Sequence, residues 1–451
     1  MKKILTTWPL WVAVAAVLTY ARPAVAQTYT GDARKIAMGN VGDKGNIASS
    51  MVPDGGGGET IIQLPIGLIR VLKDLNSFNP SSNSFDPARA VERAGSPLHL
   101  TLGSGGGEAS PAGRFMSDLV NGTVSRDMST YRGFHLPDEV TAAGMLSPTF
   151  GKTFKVKRSA RGGFHGVFVG AGPYASFATT LHADPKLTEI FESDQRVTYP
   201  NTTFETRSIS TMQLGMSIVV GYRARLDWPG MPVDDSRDGI YVAANYRHLR
   251  GMRYLRPDLS LRFDTDAAGL IPDDGGHAGL TVDYLEGTSG TGRAIDLGIE
   301  AVRGGLAVGF GVNGLGNHID WTTFTLNRYA MSVTDGEDGV DAPLIPPVGT
   351  ERVVLPLVTT AHVGYVTGPW TFSSMFGRGL NGRAASGGAE RRFGAFAVRG
   401  GGILTKWGLE PTMGVGVGRR VALDVAMFGT HANLESARRW VFAASIRINR
   451  Q

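Results

Sequence analysis

Residues 212–226, MQLGMSIVVGYRARL, place Met212, Leu214, Met216, Ile218, Val220 and Tyr222 on one parity and Gln213, Ser217, Arg223 and Arg225 on the other. Successive strand side chains point to opposite faces, so the run predicts a β-strand with one apolar and one polar side. Around residues 294–302, Ile295, Leu297, Ile299 and Ala301 alternate with Asp296 and Glu300; after Gly304, Leu306, Val308, Phe310 and Val312 alternate with Ala307, Gly309, Gly311 and Asn313. The run RRWVFAASIRIN sets Trp440, Phe442, Ala444, Ile446 and Ile448 against Arg439, Ser445, Arg447 and Asn449. Similar alternation recurs around 163–180, 238–249 with Arg247, 352–366, 369–376, 391–399, 411–419 and 420–429 with Asp424. The pattern predicts about 14 strands, many of the 9 to 11 residues that a tilted membrane-crossing strand needs.

Gly309, Gly311 and Gly314 spell GxGxxG. A dinucleotide fingerprint requires a strand, a turn and then a helix whose N-terminus receives the pyrophosphate. Here the glycines lie inside an alternating run and no helical periodicity follows Asn317, so the segment reads as a strand.

Before residue 148 the period of two is missing. Glycine runs at 55–58 and 103–107 are joined by two short helical patterns, LPIGLIRVLKDL (64–75) and DPARAVERA (86–94), the second with Asp86 as a cap and Pro87 in the first turn. At the start, Lys2 and Lys3 precede an apolar stretch, and Ala24-Val25-Ala26 offers a small-x-small cleavage site, which reads as a secretory signal peptide. The expected organisation is 1–26 signal peptide, 27–147 mixed plug segment and 148–451 main part of the barrel wall.

Composition narrows the class. The 62 glycines in 451 residues, without a collagen period, suit many tight turns and crowded strand positions. There is no cysteine, hence no disulfide or thiolate metal site. Losing Lys2, Lys3 and Arg22 with the signal lowers the net charge from +5 to +2, too little to argue for a nucleic-acid partner. No later stretch is apolar enough for a transmembrane helix. Two all-β architectures survive, a soluble sandwich with its apolar faces together or a transmembrane barrel with its apolar face outward. Strand length, charges of both signs on the polar faces and aromatics near strand ends (Tyr222, Trp228, Tyr246, Tyr254, Trp321, Trp370, Trp440) favour the barrel. Its lumen lining would then be Gln213, Arg223, Arg225, Arg247, Asp296, Glu300, Asn313, Asp424, Arg439 and Arg447.

The chemistry of an enzyme is not spelled out. None of the nine histidines sits in HExxH or at paired ligand spacing, and there is no GxSxG elbow. Ser445 or Ser217 with His248 is a conceivable hydrolase set without support from spacing. The acidic loop Thr334–Pro343 offers Asp335, Glu337, Asp338 and Asp341 as hard oxygens, but it lacks the glycine and terminal Glu of an EF-hand loop. No cofactor, metal or catalytic residue is expected.

Three stretches carry a family likeness. GDARKIAMGNVG (31–42) resembles the segment that opens the mature chain of FadL-like outer-membrane proteins, including the conjugal-transfer TraF-like and PorV-like branches. The run 239–270 resembles the TraF-like branch in particular, and AVGFGVNGLGNHIDW (307–321) is similar to a strand and turn of the same group. Two positions depart from the pattern: Asn40 stands where a second glycine is usual, and Ile448-Asn449-Arg450-Gln451 replaces a terminal aromatic. The resemblance implies a 14-stranded outer-membrane barrel with an inward-folded N-terminal hatch, and the passage of hydrophobic small molecules. Arg34, Met38, Gly39, Asn40, Asp43 and Lys44 are the expected plug and gating residues. Arg34, Lys35, Asp43 and Lys44 would pair with lumen charges, while Ile36, Ala37, Met38 and Ile47 line an apolar passage. The partners expected are outer-membrane lipids and a hydrophobic ligand. The alternative is a non-transporting barrel of a secretion or conjugation assembly, with a protein partner at loops 184–205, 255–292 and 332–351.

Overall fold

The alternating runs are strands. The computed structural model describes residues 33–39, 46–52, 59–63, 99–100, parts of 111–133, 139–146, 149–159, 163–227, 237–272, 278–334, 340–347, 349–354, 357–379, 382–405, 408–430 and 439–449. Among them one antiparallel sheet contains β1 (Glu59–Gln63), β2 (His99–Leu100), β3 (Glu139–Leu146), β4 (Phe150–Arg158), β5 (Phe164–His182), β6 (Thr203–Leu226), β7 (Gly239–Asp264), β8 (Gly279–Arg303) and β9 (Leu306–Ser332). It continues through β10 (Val340–Leu344), β11 (Glu351–Val354), β12 (Val358–Thr367), β13 (Trp370–Gly379), β14 (Gly382–Phe393), β15 (Phe396–Thr405), β16 (Gly408–Gly418), β17 (Val421–Thr430) and β18 (Arg439–Asn449).

These 18 segments occupy fourteen staves. β3 and β4 lie end to end along β5. β10, β11 and β12 run in succession along β9, and β1 and β2 share the free side of β18. The expected strand number is therefore met, with three staves interrupted. At one end the β8–β9, β12–β13 and β14–β15 hairpins are tight, with left-handed glycines at Gly304, Gly368 and Gly394 reversing the chain in two residues, while the β6–β7 connection there is longer, 227–238. The opposite end carries the longer connections, 183–202 and 265–278.

Burial decides which face is wet. On β6, Leu214, Met216, Ile218 and Val220 are exposed, whereas Gln213, Ser217, Arg223 and Arg225 are buried. The same inversion runs round the sheet, with Ile295, Leu297, Ile299, Val308, Phe310, Phe372, Val398, Val415 and Leu423 outward and Asp296, Glu300, Glu390, Arg399 and Asp424 inward. A water-soluble sandwich would have the reverse arrangement, so this is a transmembrane barrel with its apolar face to hydrocarbon. Farther along β6–β9 the polarity flips. Phe204, Leu261, Phe263, Leu280 and Val282 turn inward, and the ion pairs Arg207–Asp258 (2.6 Å) and Arg328–Asp283 (2.7 Å) lie outside. These four strands thus rise beyond the apolar belt into water.

That upper part corrects one expectation. Residues 255–292 are not a loop: β7 and β8 pair almost continuously through them, leaving 265–278 as the connection. The polar character that signals a loop comes from a strand face in water. Helix α1 (Ala33–Ala37) is described below; α2 (Pro185–Glu192) occupies the predicted loop 184–205, capped by Asp184 Oδ1 accepting from Lys186 N at 2.9 Å. α2 packs with Phe115, Met128 and Tyr131 into an apolar core at the mouth, including Phe115–Tyr131 and Phe115–Phe191 edge contacts at 5.2 and 5.3 Å. Burial there holds the Tyr131 phenol well above its ordinary pKa. The chain before residue 148 also supplies β1, β2 and β3 to the wall. The signal segment and both predicted helices, 64–75 and 86–94, lie outside the described residues.

Candidate functional site

The functional candidate is the stretch 33–52, which contacts two separated parts of the wall. α1 lies against β15–β18, and Asn46–Met51 against β8 and its neighbours. Ala37 and Asn46 are nine residues apart, a reach of about 30 Å at most. The sheet must therefore curl around this segment, which occupies the polar interior.

The first anchor is ionic. Arg34 makes a two-pronged contact with Glu390, Nε to Oε2 at 3.0 Å and Nη2 to Oε1 at 3.2 Å. Glu390 also accepts from Arg392 Nε at 2.7 Å and Arg399 Nε at 2.5 Å. Arg399 continues to Asp424 at 2.8 Å, and Asp424 accepts from Arg447 Nε at 3.1 Å. Glu390 and Asp424 are both 0% exposed, so charges this deep persist because each meets an opposite one. α1 is seated further by Ala33 N donating to Ser445 Oγ at 3.1 Å. Thr412 Oγ1 accepts from Gly39 N at 3.0 Å and donates to Ala37 O at 3.0 Å.

Glycine makes room for this contact. A β-carbon on Gly388 would lie 2.7 Å from Met38 Cα, and one on Gly401 2.9 Å from the Met38 carbonyl carbon. Gly39 itself has φ 68°, and a β-carbon there would come within 2.7 Å of Gly402 O. The wall at β14–β16 is thus shaved to backbone where the segment presses on it.

The second anchor surrounds Glu300. Asn46 Oδ1 accepts from Ala48 N at 2.7 Å and Ser49 N at 3.1 Å, folding 46–52 into a compact turn. Asn46 Nδ2 then donates to Glu300 Oε2 at 3.3 Å, Ser49 Oγ donates to the same oxygen at 2.7 Å, and His362 Nε2 donates to Oε1 at 3.0 Å. Ala48 and Val52 pack on Tyr241, Ala243 and Val302 beside it. Gly298 and Gly311 again leave the space, both facing Asn46.

The remaining predicted lumen residues form the layers around these anchors. Arg247 is ion-paired with Asp296, whose Oδ1 accepts from Gly314 N at 3.1 Å. Arg223 lies 4.5 Å over the Phe168 ring, and Arg225 Nη2 donates to Asp238 O at 3.0 Å. Gln213 accepts from Trp321 Nε1 at 2.9 Å and donates to Ser176 Oγ at 3.2 Å. Asn313 is half-buried beside the Asp296 layer, as its pairing with Asp296 in the β8–β9 register requires. Asn40, Asp43 and Lys44, and the Arg439 side chain, lie outside the described residues.

Two aromatics predicted for the interfacial girdle are inside. Tyr254 and Trp321 are 0% exposed and stacked at 5.4 Å, with the indole lying over Gly251 and Gly290. Tyr222, Tyr246 and Trp370 do face outward. Sequence reasoning missed Glu390, Arg399, Thr412, Asn46, Ser49 and His362. Arg399 was detectable as a lone charge between Ala397-Val398 and three glycines; Glu390 is hidden in the triplet Glu390-Arg391-Arg392, where parity is ambiguous. The hydrolase set is not brought together: Ser217 is buried and donates to Gly172 O at 3.2 Å, while His248 points outward. GxGxxG lies within β9, as the alternation requires. Among the described residues no group of His, Asp and Glu is arranged to hold a metal; residues 335–339 of the acidic loop lie outside them.

No protein-family model and no curated protein matches the chain. Among solved structures it is similar to the TodX deltaS2S3 mutant, a monoaromatic hydrocarbon channel, at 11% identity over 70% of this chain and 91% of that one, with a TM-score of 0.32. The Ralstonia pickettii toluene transporter TbuX shares 11% identity over 70% of this chain and 78% of its own, TM-score 0.27. A Rhodopseudomonas blastica porin triple mutant gives 10% over 53% and 99%, TM-score 0.19. Likenesses this distant add nothing to the fold read from the sheet itself. None of the three is a TraF-like or PorV-like protein, so that narrower branch rests on the sequence motifs alone.

Proposed function

We propose that this is an outer-membrane barrel that passes hydrophobic small molecules through a lumen plugged by residues 33–52. The observation that carries the reading is the double anchoring of that stretch, at Glu390 and at Glu300, inside a wall whose outer face is apolar. A stretch lying loosely in the lumen needs neither a left-handed glycine at 39 nor wall glycines cut back to receive it. Each anchor joins a few polar contacts to a small apolar one, Ile36 and Ala37 on Ala426, Phe428 and Ala443, and Ala48 and Val52 on Tyr241, so releasing one shifts the segment without unfolding the wall. Arg34, Met38 and Gly39, with Asn40, Asp43 and Lys44 beyond them, are the gating residues. Arg223, Arg225, Arg247, Asp296 and Arg447 line the passage around them, with Arg439 assigned to the same face. Above the plug, the fully buried Trp321 and Tyr254 pack with the half-buried Phe324 into an apolar layer of the interior.

A second reading is favoured by the apolar core at the mouth. Phe115, Tyr131, Phe191, Phe204 and Phe263 brace the upper strands into a rigid head, which would suit a non-transporting barrel that docks a protein partner. Liposome conductance and uptake of an apolar solute, comparing the mature chain with a form lacking 27–58, separates the two. Transport by the intact form and a larger conductance after deletion support the plugged channel; insertion with neither activity supports the docking barrel.

A further inference from the structure

The outer face changes character at one level on β7–β9. Ascending from the tight turns, β8 presents Ile299, Leu297 and Ile295 and then Arg293, ten residues above Arg303. At about 3.3 Å per residue and a tilt near 40°, that height is about 25 Å, the thickness of the apolar band of a membrane barrel. Arg293 stands opposite His248 on β7 and His318 on β9. In the next row Arg250 stands opposite Thr291. Arg253 adds a third guanidinium, its side chain 64% exposed.

The balance of charge in this patch differs from that above it. Higher on the head, Arg207 and Arg328 each face a carboxylate through two hydrogen bonds. At the boundary, Asp320 is taken up by Arg352 (2.7 and 2.9 Å), and Glu286 lies 3.6 Å from Arg253. Arg250 and Arg293 have no carboxylate partner among the described residues. Immediately beside and below them are Met216, Ile218, Tyr246 and Ile295, all exposed to hydrocarbon. The surface therefore asks for a molecule with anionic groups at the height of the headgroups and acyl chains directly beneath. Long connections mark the outward side of such barrels, and the patch is on that side.

Resting on the membrane-barrel reading above, we propose that His248, Arg250, Arg253 and Arg293 bind the phosphate groups of an outer-leaflet glycolipid, whose acyl chains lie along Ile218, Tyr246 and Ile295. Paired guanidiniums suit phosphate because their planar forks donate two bonds to one group. Anionic headgroups are held in this way by basic residues at a membrane surface.

The test uses the full mature chain refolded in detergent and titrated with a bisphosphorylated glycolipid, the same lipid after phosphatase treatment, phosphatidylglycerol and inorganic phosphate. Heat-modifiable gel mobility and insertion into liposomes are read in parallel, so that loss of the barrel is distinguished from loss of the site. The expected result is at least tenfold weaker binding of the phosphorylated glycolipid by R250A/R293A, with mobility and insertion unchanged. The phosphatase-treated lipid should bind the native chain only as weakly. R250K/R293K should retain part of the affinity, and R328A, which breaks a matched pair, should retain all of it. Equal binding by native and R250A/R293A protein, or equal binding of the dephosphorylated lipid, overturns the proposal. So does phosphatidylglycerol binding as tightly, or displacement of the glycolipid by low millimolar phosphate, which assigns the patch to anions in general.

Discussion

Ser49 Oγ donates to Glu300 Oε2 over 2.7 Å, joining residues 251 apart in the chain, and the same carboxylate accepts from Asn46 and His362. Three donors on one buried acceptor make Glu300 the hinge on which the second anchor turns.

Replacing it tests the anchor directly. Glu300→Ala removes the acceptor shared by Asn46 and Ser49, at a cost of about 1.5–3 kcal/mol for bonds to a charged group. With tenfold per 1.4 kcal/mol, the open probability in planar bilayers should rise roughly 10- to 100-fold while the barrel keeps its heat-modifiable mobility. A variant as silent as the native protein would sink the latch.

Arg34 and Arg399 should behave differently although both touch Glu390. Arg34→Ala leaves Glu390 with Arg392 and Arg399, so it should loosen the plug and spare the wall. Arg399→Ala removes the fully buried guanidinium that joins Glu390 to Asp424, leaving Glu390 with Arg34 and Arg392 but the 0% exposed Asp424 with Arg447 alone, and removing one partner of a buried pair costs up to about 3–5 kcal/mol. Urea unfolding followed by gel mobility should show a large loss of stability for Arg399→Ala and little for Arg34→Ala.

The glycine seat yields a steric prediction with an internal control. Gly388→Ala would push a methyl into the Met38 backbone at 2.7 Å, whereas a β-carbon on Gly400 meets nothing within 4 Å. Protease sensitivity of residues 33–39 and 46–52 should therefore increase in Gly388→Ala and stay at the native level in Gly400→Ala. Equal sensitivity in the two variants argues against a fitted seat.

The head above the belt should respond to acid. Arg328 and Arg352 hold the Asp283 and Asp320 carboxyls below their ordinary pKa. A carboxyl depressed in the folded state contributes stability that is full above its unfolded pKa, about 4, and is lost as pH falls through the folded value. Hydrogen exchange of 279–290 and 318–330 should be flat from pH 7 to about 5, after correction for the intrinsic rate, and rise below about 4. In Arg328→Ala the contribution of Asp283 should be missing from that acid step.

Alternation made the wall legible, because inward and outward positions on Leu306–Asn313 and Val421–Phe428 follow parity. It could not say which face is wet, since a sandwich and a barrel share the same period; the exposed Ile218 beside the buried Ser217 decides that only in three dimensions. The head reads as loop in the sequence for a related reason, as a strand standing in water carries charges on its outer face. Trp321 was placed at the interface by its type, yet Gly251 and Gly290 give it a bed inside. Arg34 was found through a motif, while its partner Glu390 lies 356 residues away, beyond any local pattern.

The Ala33–Ser445 hydrogen bond spans 412 residues and links the earliest described helix to the latest described strand. α1 precedes every described strand of the wall, yet its socket is made from β15–β18. During biogenesis it therefore has nowhere to dock until those four strands are in place. In the proposed channel, seating of the plug is then a late event, and a barrel stalled before β18 would be left uncorked. There, the contact that seats the plug also marks the completion of the chain around it.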